Sequence, residues 1–163
     1  MQSTPATDPA DAYARYGPAL VRKAQRVLRN REDAIDVVHG LFADLLSKPD
    51  IPMELPYLYR AVTHRCLNLV RDAQGRARLL AREQATVAPS SRLADGNRVL
   101  DVDLLGRLCD GLDADHLEVL VCRYVDEMTQ EEIGDHLGLS RKTIGKRLGR
   151  IHDQLARLGA GAA

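Results

Sequence analysis

Met128-Thr129-Gln130-Glu131-Glu132-Ile133-Gly134-Asp135-His136-Leu137-Gly138-Leu139-Ser140-Arg141-Lys142-Thr143-Ile144-Gly145-Lys146-Arg147-Leu148 reads as two short helices joined by a tight turn. Thr129 is followed three residues later by Glu132, the reciprocal pairing in which a hydroxyl and a carboxylate satisfy the unpaired N–H groups at a helix start. Gly138 comes directly after Leu137, where a helix ending on a left-handed residue wants glycine. Ser140 can cap the next helix, whose Ile144, Leu148, Ile151, Leu155 and Leu158 step by four, three, four and three residues and form one apolar stripe. The spacing predicts a helix-turn-helix.

The polar side of that second helix carries Arg141, Lys142, Lys146, Arg147 and Arg150, and no acid occurs between Asp135 and Asp153. Ser140 and Thr143 add hydroxyls near its N-terminus. A recognition helix brings its N-terminal residues to base edges in the major groove, while basic groups further along hold phosphates. A cationic, solvated face on an ordinary core helix is the competing explanation. The capped turn, the glycine and the basic face in one register favour DNA, which makes these seven residues the expected duplex contacts.

The length of 163 residues allows one domain or two small ones. An apolar share of 45% is too high for a disordered chain. The formal net charge is zero, but the charges are segregated. Asp113 to Asp135 holds eight acids against the single base Arg123, whereas Tyr13 to Arg31 holds six bases and no acid. Local patches, not the sum, set the field that a duplex meets. Cys66, Cys109 and Cys122 are odd in number and widely spaced, which suits reduced thiols and a cytoplasmic location. A zinc site drawing on Cys109, His116, Cys122 or His136 fits no standard ligand spacing. No stretch of 18 apolar residues suggests membrane insertion. No cofactor or small-molecule substrate is expected.

All the remaining elements read as helices, so the expected fold class is all-α: two small helical domains, residues 11–85 and 98–160, joined by a flexible linker over 86–97 rich in Pro, Ser, Gly and Asn. The first helical stretch has Tyr13, Leu20, Ala24, Val27 and Leu28 as its inner face, with Arg22, Lys23, Arg26 and Arg29 outside. Gly17-Pro18 is expected to bend or restart it. Asn30 caps a second helix with the stripe Ile35, Val38, Phe42, Leu45 and Leu46. After a proline-bearing loop (residues 49–54), a third helix begins near Leu55, with Pro56 in its tolerant first turn. Its inner stripe is Leu58, Val62, Cys66 or Arg65, and Leu69. Tyr57, Arg60, His64, Asn68 and Arg71 share another face, and this mixture of aromatic, amide and cation suits unpaired bases. A helix over 98–111 with Val99, Val102, Leu105 and Leu108 inward, and another over 116–125, brace the helix-turn-helix.

The order of these motifs resembles bacterial sigma factors of the extracytoplasmic-function group across roughly residues 13–158. Asp33-Ala34-Ile35-Asp36-Val37-Val38-His39-Gly40-Leu41-Phe42 is similar to the family's D-A-E-D-L-V-Q-E-V-F, and Tyr57-Leu58-Tyr59-Arg60-Ala61-Val62 is similar to W-L-Y-R-I-A. Thr129 to Leu148 is similar to S-x-x-E-I-A-x-x-L-G-I-S-x-x-T-V-x-x-R-L. The resemblance implies a protein that binds core RNA polymerase, through the β′ clamp helices and the β flap, and directs promoter-specific initiation. It places Asp33, Asp36, His39 and Phe42 at the polymerase contact. Asp50, Ile51 and Met53 would sit in the base-capturing loop, and Tyr57, Arg60, His64, Asn68 and Arg71 against the melted −10 strand. Ser140, Arg141, Lys142, Thr143, Lys146, Arg147 and Arg150 would lie on the −35 duplex. An anti-sigma partner is also implied. Ile35, His39 and Gly40 stand where Glu, Gln and Glu are usual, and Tyr57 where Trp is usual.

Two other readings compete. A helix-turn-helix regulator with a helical sensor or dimerisation domain would bind duplex without polymerase, and a sigma mimic would bind polymerase without initiating. No nucleophile motif, phosphate loop or paired His and carboxylate cluster points to an enzyme.

Overall fold

The computed structural model describes residues 8–48, 50–83 and 101–160. Among them lie seven helices and no strand element: α1 (Pro9–Leu28), α2 (Arg31–Leu46), α3 (Leu55–Glu83), α4 (Val102–Gly111), α5 (Ala114–Tyr124), α6 (Gln130–Leu137) and α7 (Arg141–Ala160). The fold is all-α. The chain divides into two compact units, residues 1–66 and 67–163, and the division falls inside α3. The expected linker, residues 86–97, lies outside the described residues, as do Val99 and the start of the helix expected from residue 98.

In the first unit, Asp8 caps α1 and Asn30 caps α2, each through its side-chain oxygen. Between them Arg29 turns the chain in a left-handed conformation at φ 56°. α1 buries Ala12, Leu20, Ala24, Val27 and Leu28. α2 buries Ala34, Val38, Leu41, Phe42 and Leu45, while Leu58, Val62 and Cys66 of α3 are also fully buried. Each such aliphatic side chain contributes about 1.5–3 kcal/mol by leaving water, enough to override weak local preferences. Thus α1 continues through Pro18 although the proline removes one helical hydrogen bond.

Three expectations need correcting here. Leu46 is 68% exposed and Leu41 takes its place in the core, because a 3.6-residue period leaves the edges of a stripe ambiguous. Tyr13 is 38% exposed, since its ring packs edge-on against Phe42 at 5.2 Å while its hydroxyl reaches His39 Nε2 at 2.8 Å. Lys23 is buried rather than outside, at 1% exposure, and its ammonium stands 5.2 Å from the centre of the Tyr59 ring. A cation over an aromatic face recovers part of the cost of leaving water. The same interior pushes the Cys66 thiol up to about 12 by burial, with Lys23 opposing the rise.

In the second unit, Asp101 caps α4 and Asp113 caps α5, again through side-chain oxygens. Leu105 and Leu108 of α4, Leu117, Val119, Leu120 and Val121 of α5, Ile133 of α6, and Ile144, Leu148 and Ile151 of α7 form the core. Arg78 pairs with Asp110. All three cysteines are buried and none is in a disulfide. No helix among the described residues is long and apolar enough to cross a membrane.

Lys23 gives the first unit a specific test. Lys23→Ala should lose about 2–4 kcal/mol in urea unfolding, combining a cavity with the lost cation–ring contact. Lys23→Met, which keeps the stem volume, should lose clearly less. Equal losses would mean that the charge over Tyr59 outweighs packing.

Candidate nucleic-acid interface

Two residues hold the start of α6. The Thr129 hydroxyl accepts from the Glu132 N–H at 3.2 Å, and the Glu132 carboxylate accepts from the Thr129 N–H at 2.7 Å. These bonds hold the Glu132 carboxyl below its usual range. The end of α6 is set by Gly138 at φ 68°, ψ 34°, and the Leu139 N–H closes the turn on the Gly134 carbonyl at 2.9 Å. Arg123 braces the approach by donating to the Met128 carbonyl at 2.9 Å. α7 then starts with the Thr143 N–H donating to Ser140 Oγ at 3.2 Å, and the two hydroxyls meet at 2.9 Å. Every step of the helix-turn-helix read from residues 128–148 is present.

Burying Ile144, Leu148, Ile151 and Leu155 against α4, α5 and α6 fixes the roll of α7. Arg141, Lys142, Lys146 and Arg150 are consequently exposed, with Thr143 and Arg147 half-buried. Arg147 differs from the rest, for its guanidinium donates to Asp115 Oδ2 at 3.3 Å. Beyond it, Gly111, Arg150, Asp153, Gln154 and Arg157 line an open groove of about 390 Å3. Asp113 lies along the same edge. Hydrogen bonds from the His116 side chain and backbone, then the nearby charges of His116 and Arg150, hold its carboxyl below the ordinary range.

On α3, Tyr57, Arg60, His64, Asn68 and Arg71 are all exposed, at steps of three, four, four and three. Such steps place them along one face of a helix. Tyr57 is 41% exposed, so its ring has open surface on which a base could stack. In the preceding loop Asp50 is exposed and Ile51 half-buried. Met53 departs from the expectation: at 1% exposure it belongs to the floor beneath the loop, where its apolar chain is sheltered from water. Phe42 departs similarly. It is buried under the Tyr13 ring, while Asp33, Asp36 and His39 stand exposed on α2.

Several contacts escaped the sequence reading. The Tyr13–His39 bond ties the expected polymerase face to α1, and a second tyrosine–histidine bond, Tyr124 to His152 Nε2 at 2.8 Å, ties α5 to α7. Neither pair has a local spacing that could have announced it. Among the described residues no group of three or more His, Cys, Asp or Glu could hold a metal ion, so Cys109, His116, Cys122 and His136 do not assemble as ligands.

Capped helices that present a cationic face on α7 in one unit and an aromatic-cationic face on α3 define an all-α protein built around a helix-turn-helix. Residues 12–76 match the family description Sigma-70 region 2, and residues 109–157 match Sigma-70, region 4. Together these cover more than two thirds of the chain, which belongs to the sigma-70 family and has the two-region make-up of its extracytoplasmic-function group. Its role lies in promoter recognition. No curated protein is similar enough to the chain to count as a match.

The turn carries a direct test. Thr129→Ala removes one acceptor at the start of α6 and should lower the unfolding free energy by about 1 kcal/mol, read by thermal denaturation. The acid limb has a defined sign. Glu132 and Asp113 are held below their usual values, so the stability they contribute is present above pH 4.5 and 3.8 respectively and is lost as pH falls through the depressed values. Carboxyl NMR titration should find both groups ionising below those reference values, and a normal value for Glu132 would contradict the reciprocal cap.

Proposed function

We propose that the chain binds core RNA polymerase and directs promoter-specific initiation, reading the −35 element as duplex through α7 and holding the melted −10 strand on α3. The observation that carries this reading is the N-terminal part of α7, where exposed Ser140, Arg141, Lys142 and Lys146 and half-buried Thr143 follow a rigidly capped turn. Residues so placed can meet base edges, with the cations also reaching phosphates. Unpairing bases costs on the order of a few kcal/mol, which stacking at about 1–3 kcal/mol per base can offset. Tyr57, Arg60, His64, Asn68 and Arg71 provide that kind of surface.

Polymerase docking is assigned to Asp33, Asp36 and His39 on α2, with Phe42 and Tyr13 as the packing that supports them. The loop residues Asp50 and Ile51 are the candidates for capturing a flipped base, and Met53 supports the loop from beneath. The second unit would meet the β flap through apolar surface. A zero net charge fits weak intrinsic DNA affinity, with polymerase supplying the rest. The protein would act in the cytoplasm, without catalysis or a cofactor of its own. A separate anti-sigma protein would restrain it, and the support for that partner is the family resemblance alone.

Run-off transcription with purified core polymerase and a library of −35/−10 promoters tests the reading. Promoter-specific transcripts are expected. Core polymerase binding without transcripts would favour a non-initiating mimic, and duplex binding without polymerase association would favour a regulator. Within a working holoenzyme, Arg141→Ala or Lys146→Ala should weaken −35 binding about tenfold, in line with 1–3 kcal/mol for a good base contact, and leave polymerase association intact. Tyr57→Ala should reduce open-complex formation on heparin challenge, while Tyr57→Phe should retain it.

A further inference from the structure

The cations of α7 do not keep the same company. Lys142 and Lys146 stand opposite the buried stripe and are exposed. Arg147 flanks the stripe, is only 21% exposed in its side chain, and is turned toward the start of α5. There it donates to Asp115, whose carboxylate is 69% exposed and sits in the first turn of α5. Further along α7, Arg150 is the neighbour of Asp113. The corner between α4 and α5 therefore sets two carboxylates beside the cations in the first three turns of α7, where the helix itself carries no acid before Asp153.

An acid in that place occupies one guanidinium, so that a phosphate must displace it to gain the contact. This opposes backbone attachment, the part of binding that is blind to sequence. It leaves alone Ser140, Arg141, Lys142 and Thr143 at the start of the helix.

We infer that Asp115 is a positioning residue of the duplex interface, one that withholds Arg147 from the DNA backbone and so limits sequence-independent binding by the free chain. The inference rests on the proposed reading of α7 as the duplex-contacting helix. Asp115 thereby acts through Arg147 and not by touching DNA itself. It gives a physical meaning to an acid that neither caps α5, a role Asp113 fills, nor packs in the core.

The test uses the full chain and a fluorescent random-sequence duplex, with affinity measured by anisotropy over a series of low salt concentrations. Asp115→Asn should bind about two- to fivefold more tightly than the wild type at the lowest salt, and its plot of log K against log salt should steepen by about 0.9, the value of one added phosphate contact. Glu131→Gln removes an exposed acid from α6 and serves as the control for net charge. Asp115→Asn in an Arg147→Ala background should show no gain beyond that control. A gain that survives Arg147→Ala, a gain matched by Glu131→Gln, or no gain at all would each overturn the inference. The underlying reading is checked in the same titration by Arg141→Ala and Lys142→Ala. If these weaken binding while Asp115→Asn changes nothing, α7 is the duplex face and only the role of Asp115 is lost. If neither weakens binding, the placement of the duplex on α7 falls first and the inference falls with it.

Discussion

A single left-handed glycine between two capped helices is the constraint on which the rest depends. At φ 68° Gly138 turns the chain where a side-chain-bearing residue would pay a steric cost of about 1–2 kcal/mol. The Thr129–Glu132 bonds fix where α6 begins, and the Ser140 cap fixes where α7 begins. With both ends set, the stripe from Ile144 to Leu155 can enter the core in only one roll of the helix. Arg141, Lys142, Lys146 and Arg150 are then outward by geometry. No separate device is needed to expose them.

The first unit solves a different problem with the same chemistry. A long helix must keep an aromatic and cationic face in water while its opposite face holds the helix in place. Leu58, Val62 and Cys66 are fully buried, and the neighbouring Lys23 is accommodated over Tyr59 instead of reaching solvent. In the proposed function this leaves Tyr57 and its companions available for unpaired bases, while the rigid turn of α6 and α7 serves an intact groove. Duplex and single strand ask for different surfaces, and in the proposed function one chain would present both.

Much of this was legible in the residues because its causes are local. Caps, glycine turns and a 3.6-residue period act within a few positions, so the all-α class, the helix-turn-helix and the exposed face of α3 could be read directly. What escaped depends on residues far apart. Lys23 looked like one more surface cation until Tyr59 came beneath it. Tyr13 and His39 are 26 residues apart, and Arg147 and Asp115 are 32 apart, with nothing in either neighbourhood to announce the other. Phe42 and Met53 were placed on working surfaces by their position in a motif, yet both are buried, because an apolar side chain beside a functional loop gains more by supporting it than by facing water. Pro18 was expected to interrupt α1, but the burial on either side of it outweighs one missing hydrogen bond.

The division of labour between α3 and α7 is most directly tested by photocrosslinking in a promoter complex made with core polymerase. A crosslinker would be placed at Lys146 in one sample and at Tyr57 in another, with permanganate marking unpaired thymines in the same complexes. The expected result is that Lys146 crosslinks to permanganate-resistant duplex upstream, while Tyr57 crosslinks to bases inside the permanganate-reactive segment. Crosslinks from Tyr57 to fully paired DNA, or from Lys146 to the melted segment, would contradict the assignment of the two helices.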